Sequence, residues 1–222
     1  MNLLVKSTFI LSFLLVASGC GTIHVNAHSN QDGQNLDSVF GGIEVGKNAK
    51  VGNVSSVNGG IDIDSGATVL NVETVNGGIE IGNDVNIENA ETVNGGIEAG
   101  SGLTAKGHLE TVNGEINIQQ NGFVGGSVTT VNGDIEISKS EIVKNIETVN
   151  GDVTLKDGTL LNGDIVIGTS SGWFSNWGGK KLVITIDASS QVKGTIHLHK
   201  KVDLKIDESA SIGNIKKYYL DE

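Results

Sequence analysis

Glu73–Ile81 reads ETVNGGIEI, and 18 residues later Glu91–Ala99 reads ETVNGGIEA. The same text recurs in both directions, so that its asparagines fall at Asn58, Asn76, Asn94, Asn113, Asn132 and Asn150, each 18 or 19 residues from the next, with Phe40 in the same phase one period earlier. A period near 20 residues is the signature of a solenoid, whose coils cannot fold alone and stack to close a common core. Within each repeat two aliphatics flank one polar residue: Ile43/Val45, Ile61/Ile63, Ile79/Ile81, Ile97/Ala99, Ile116/Ile118, Ile135/Ile137 and Val153/Leu155. That alternation predicts a short strand per coil.

Further aliphatics recur at fixed offsets, for example Val69, Val72 and Val75 in one coil and Val124, Val128 and Val131 in another. Taken as inward, they supply two more walls and make the coil roughly triangular. About five buried aliphatics per coil, at roughly 1.5–3 kcal/mol each before the entropy of ordering, leave a single coil unstable and a stack stable. The 32 Gly and the absence of Pro agree, since tight corners need positive φ and the ladders need every N–H.

Three polar files follow from the stacking. The Asn file reads as a structural ladder of amides, each donating to the next carbonyl. The Ser/Thr file beside it, Ser56, Thr74, Thr92, Thr111, Thr130 and Thr148, reads the same way. A flat array of hydroxyls also orders water in ice-binding proteins, but Asn-Gly on the second side suits a corner better than a face. Between the paired aliphatics lie Glu44, Asp62, Glu80, Glu98, Asn117, Glu136 and Thr154, a stripe of carboxylates interrupted twice. Neighbouring charges at coil spacing repel by roughly 1 kcal/mol in water, so the stripe must be solvated or recruit cations. A linear row offers no convergent oxygen cage, and neither a metal ligand nor a cofactor is predicted.

The ends differ from the body. Residues 1–20 predict an export signal with Lys6, an apolar run from Phe9 to Val16, and then Ala17, Ser18, Gly19 and Cys20. Small residues before a cysteine resemble the bacterial lipobox, which implies that Cys20 is lipidated and becomes the mature N-terminus. Residues 21–37 are polar and aperiodic and predict a flexible tether, with His24 and His28 solvated in it. Without residues 1–20 the chain keeps 14 Lys and 26 acidic residues, a formal 14 − 26 = −12, and it has no Arg. Nucleic acid is thereby disfavoured as a partner. With a single cysteine, no internal disulfide contributes.

After Asn150 the T-V-N-G text lapses while the aliphatic beat continues through Ile165/Ile167, Ile184/Ile186, Ile196/Leu198, Leu204/Ile206, Ile212 and Ile215. An insertion at 168–181, GTSSGWFSNWGGKK, predicts an extruded loop, and the tail at 218–222 predicts a cap. Trp173, Phe174, Trp177, Lys180 and Lys181 make that loop the candidate binding site. Its aromatics are suited to stacking on sugars, dipping into a bilayer interface, meeting another subunit, or covering one side of the solenoid. For catalysis the signals are weak: polysaccharide-cleaving β-helices need clustered Asp and often an Arg base, hexapeptide acyltransferases need a cleaner period, and His108, His197 and His199 read as surface residues.

With the T-V-N-G-[GED]-I repeats and the closing GDIVI…GWFSNW…KGTIHLHKKVDLKIDESASIG in view, residues 38–217 resemble bacterial exported β-helical proteins labelled polymer-forming or bactofilin-like. The resemblance to the bactofilins proper, which are cytosolic, right-handed triangular β-helices that polymerise end to end, is weaker. It implies a non-enzymatic scaffold. The expectation is therefore all-β: a right-handed parallel β-solenoid of about 9–10 coils over residues 38–217, in an envelope lipoprotein. Gly21 after Cys20 favours the outer membrane by analogy with Gram-negative sorting. The expected partners are the membrane through Cys20, a glycan or envelope protein, and a second copy end to end. A carbohydrate-active enzyme is the alternative, with ice binding behind it.

Overall fold

The computed structural model describes residues 23–25, 33–169 and 181–219. Every strand pairing in it is parallel, and no described residue is helical. The strands stack in about nine turns as a β-solenoid. Three files of strands form three walls. The first, an isoleucine wall, stacks ten strands from Ile23–Val25 and Ile43–Val45 through Ile79–Ile81 to Leu182–Ile186 and Val202–Ile206. Its register places Ile61 on Ile79 and Ile79 on Ile97, the single file that the repeat requires.

The second, an asparagine wall, runs from Leu36–Phe40 through Asn71–Asn76 and Leu109–Asn113 to Ile165–Ile167. The third is short, with two-residue strands such as Thr104–Ala105 and Glu141–Ile142. Gln191–Leu198 is long enough to serve both of these walls, pairing Val192 with Leu161 on one and Ile196 with Ile165 on the other. Two walls thereby join into one sheet of fifteen strands.

Alternation sends one side chain in and the next out, and it corrects the expected walls. Val72 is fully buried, Glu73 points out, Thr74 is 1% exposed, and Val75 is only half-buried. Val131 likewise points outward behind buried Thr130. A spacing of three cannot keep Val72 and Val75, or Val128 and Val131, on one face of a strand. The inward partner of each aliphatic is the hydroxyl residue. A second departure lies in the segment expected as a tether, where Ile23–Val25 pairs with Ile43–Val45 and a strand already starts at Leu36.

Two corners explain the glycine and asparagine content. At the Asn corner a Cβ on Gly77 or Gly95 would collide with the carbonyl of the glycine one coil below, so this file admits nothing larger. At the corner leading to the short wall, Asn48, Gly66, Asp84, Gly102, Asn121, Lys139 and Asp157 succeed one another in positive φ, the left-handed region that Gly, Asn and Asp tolerate. The core is a continuous aliphatic column from Leu36 to Val202.

Candidate functional site

The Asn ladder is complete. Asn76, Asn94 and Asn113 each donate Nδ2–H to the Oδ1 of the asparagine one coil below at 3.0 Å, and Asn132 and Asn150 do so at 2.9 Å. At its foot Asn58 Nδ2 donates to the Val39 carbonyl at 3.3 Å. At its head Lys200 Nζ donates to Asn150 Oδ1 at 3.0 Å and also to the Val149 carbonyl. Burial lowers the pKa of that ammonium. The lysine lies two coils on from Asn150 and closes a file whose next asparagine is missing, a role without a sequence signal of its own.

The Ser/Thr file faces into the rod. Thr74, Thr92, Thr111 and Thr130 are at most 1% exposed and donate to the carbonyls of Gly59, Gly77, Gly95 and Gly114 at 2.8–3.0 Å. These hydroxyls build no flat outer array. The carboxylate stripe is in register on the isoleucine wall, with Glu44 on Asp62, Asp62 on Glu80 and Glu80 on Glu98. Where it resumes, Lys156 hydrogen-bonds Glu136. Among the described residues no three His, Cys, Asp or Glu side chains are placed to hold a metal ion.

Of the predicted loop site only Lys181 belongs to the described residues, 3.9 Å from Asp203 at the surface. Trp173, Phe174, Trp177, Lys180 and Cys20, the residue expected to be lipidated, lie outside them.

A feature that the sequence reading missed sits at the corner between the short and asparagine walls. There a second amide ladder runs, with Asn71 donating to Asn53 at 2.9 Å and Asn89 to Asn71 at 2.8 Å. It stops at His108 and Ser127, which occupy the next two ladder positions in register with Asn89. Asn89 Oδ1 accepts instead from the backbone N–H of His108 at 2.9 Å. Beside these positions Gly107, Gly125 and Gly126 carry no side chain, and an open groove of about 440 Å³ spreads over four coils, from Glu91 to Lys144.

The groove holds a titratable cluster around Glu91 and Glu110, which continue the second outward file of carboxylates in register from Glu73 on successive coils. His108 Nε2 meets Glu91 Oε1 at 2.8 Å. That hydrogen bond raises the imidazole pKa against the opposing effect of burial, with help from the Glu91 and Glu110 charges. Burial raises the pKa of Glu110 and the Glu91 charge adds to it; Glu73 is raised by the same two causes. Glu110 Oε1 is sealed from solvent and has no hydrogen-bond partner. Lys106 and Lys144 stand at the rim.

At the C-terminal end of the same wall, His197 lies between Asp164, 3.3 Å from Nε2, and the Tyr218 hydroxyl, 2.9 Å from Nδ1. His199 stacks on the Tyr218 ring at 4.4 Å. These contacts tie the tail to the last coils. The chain matches no family model, and neither a curated protein nor a solved structure matches it.

Proposed function

We propose that the chain is a non-enzymatic scaffold of the bacterial envelope, lipid-anchored at Cys20, that associates with a second copy through the open end of its solenoid. The observation that carries this reading is the edge strand Val202–Ile206. It is the last of ten on the isoleucine wall, and Leu204 and Ile206 are only half-buried where their counterparts Ile184 and Ile186 are at most 1% exposed.

The strand alternates apolar, acidic, apolar, basic, apolar. Paired antiparallel with itself about Leu204, it sets Asp203 of each copy against Lys205 of the other and Val202 against Ile206, an isologous contact. An unpaired strand of this kind is a template for another chain. Sedimentation velocity over a concentration series tests it. Asp203→Lys and Lys205→Asp each weaken association, and the double exchange restores it; a wild-type chain that stays monomeric at every concentration overturns the reading. The anchor has its own check, because Cys20→Ala moves the protein from the membrane to the soluble fraction.

A further inference from the structure

The groove between Glu91 and Lys144 is where the rod interrupts its own pattern. In the three preceding coils Asn53, Asn71 and Asn89 hold this corner, whereas His108 and Ser127 take their register and Gly107, Gly125 and Gly126 beside them leave a floor of bare backbone. The floor is closely packed, since a Cβ on Gly125 or Gly126 would strike the carbonyl of Lys106 or Gly107 in the coil below. Its backbone N–H groups are spent in the ladder, with Gly125 N donating to Ala105 O at 2.8 Å and Gly126 N to Gly107 O at 2.7 Å. The polar chemistry on offer therefore comes from the flanking side chains.

Those flanks are of mixed kind. Glu91 and Glu110 accept, Lys106 and Lys144 donate, and His108 is held between the two carboxylates by its bond to Glu91. Ser127 and Thr129 add hydroxyls. Two carboxylates facing two ammonium groups and an imidazole leave little net charge with which to select an ion. Acceptors interleaved with donors match a ligand whose every group both donates and accepts, which is the property of a hydroxyl. Glu110 Oε1 lies just beneath the groove surface without a hydrogen-bond partner.

An apolar platform completes the set. Phe123 is 38% exposed on the neighbouring short wall, and its Cε1 lies 3.5 Å from where a Gly125 Cβ would sit, so the ring borders the floor. An exposed aromatic beside convergent polar groups, in a concavity within the volume range of small-molecule sites, is the make-up of a ligand pocket.

We infer that this groove binds a short neutral saccharide, with the C–H face of one sugar ring resting on Phe123 and its hydroxyls shared among Glu110, the His108–Glu91 pair and Lys144. The site lies on the flank of the rod, remote in sequence from the edge strand at its end, so it stands or falls separately from self-association.

Calorimetric titration of the purified full-length chain with three neutral tetrasaccharides, maltotetraose, cellotetraose and tetra-N-acetylchitotetraose, tests the inference, with tetragalacturonate and the glucosamine tetramer as anionic and cationic arms. At least one neutral tetramer binds with millimolar affinity or better. Phe123→Ala weakens it about tenfold, a loss of about 1.4 kcal/mol. Phe123→Trp retains it, Glu110→Gln weakens it several-fold, and Leu70→Ala, an exposed change lower on the same corner, leaves it unaltered. Melting curves confirm that each variant is folded. Failure of all three neutral tetramers to bind, binding indifferent to Phe123→Ala, or preference for either charged tetramer overturns the assignment.

Discussion

Thr92 and Thr148 occupy the same file and differ in one hydrogen bond. Thr92 Oγ1 donates to Gly77 at 2.9 Å, whereas the buried Thr148 Oγ1 has no partner. The file turns aliphatic immediately above, where Thr148 lies in register with Ile167 and Ile167 with Leu198. A buried hydroxyl without a partner costs roughly 1–3 kcal/mol, while a made bond contributes about 1 kcal/mol. Thr92→Val is expected to destabilise by about 1 kcal/mol and Thr148→Val to stabilise by a similar amount. Urea midpoints of the two variants should therefore move in opposite directions. At the left-handed corner Lys139, with φ of 44°, is the one residue that is not Gly, Asn or Asp. Lys139→Gly is expected to stabilise by about 1 kcal/mol, which for a domain of this size raises Tm by roughly 2–4 °C.

At the scale of the wall, the isoleucine strands were legible because Ile79-Glu80-Ile81 and its copies alternate without exception. The asparagine wall was misread at Val75 because Thr74, a polar residue, takes the inward place that composition assigns to valine. Its hydroxyl is acceptable there only through the Gly59 carbonyl, a partner that becomes visible once coils are stacked. The second amide ladder was hidden for a related reason: Asn53, Asn71 and Asn89 keep the period but His108 and Ser127 take the next two places, so no motif announces it. The groove that results has a titration signature. Glu110 and His108 have folded pKa values above their ordinary 4.5 and 6.5. The folded chain therefore holds these protons more tightly than the unfolded one. Their contribution is complete below those ordinary values and is lost as pH rises through the folded ones. Melting temperature is expected to fall between about pH 5 and about pH 8, and to fall less in a His108→Gln/Glu110→Gln variant. An equal slope in both proteins would refute the assignment.

Over the whole molecule, charge is distributed unevenly along the rod. Residues 33–138 carry 3 Lys against 14 Asp and Glu, while residues 139–222 carry 11 of each. The formal charge of the body thus resides in its first coils, where both carboxylate files run, and the later coils are balanced. Nearest-neighbour stacking also makes length adjustable in whole turns. Deleting residues 79–96, one coil, brings Ile97 onto Ile61 and Asn113 onto Asn76 with every file preserved. That variant is expected to fold with a cooperative thermal transition, whereas deleting residues 79–87, half a coil, turns one wall onto another and abolishes it; circular dichroism during heating separates the two.

The amides of the ladder all donate toward the N-terminal end, and each bond spans only 18 or 19 residues. Each ladder amide therefore finds its acceptor in the turn just completed. Delivered N-terminus first through a narrow pore, such a chain can wind up as it arrives, like thread onto a spool, with Lys200 as the knot that finishes the winding.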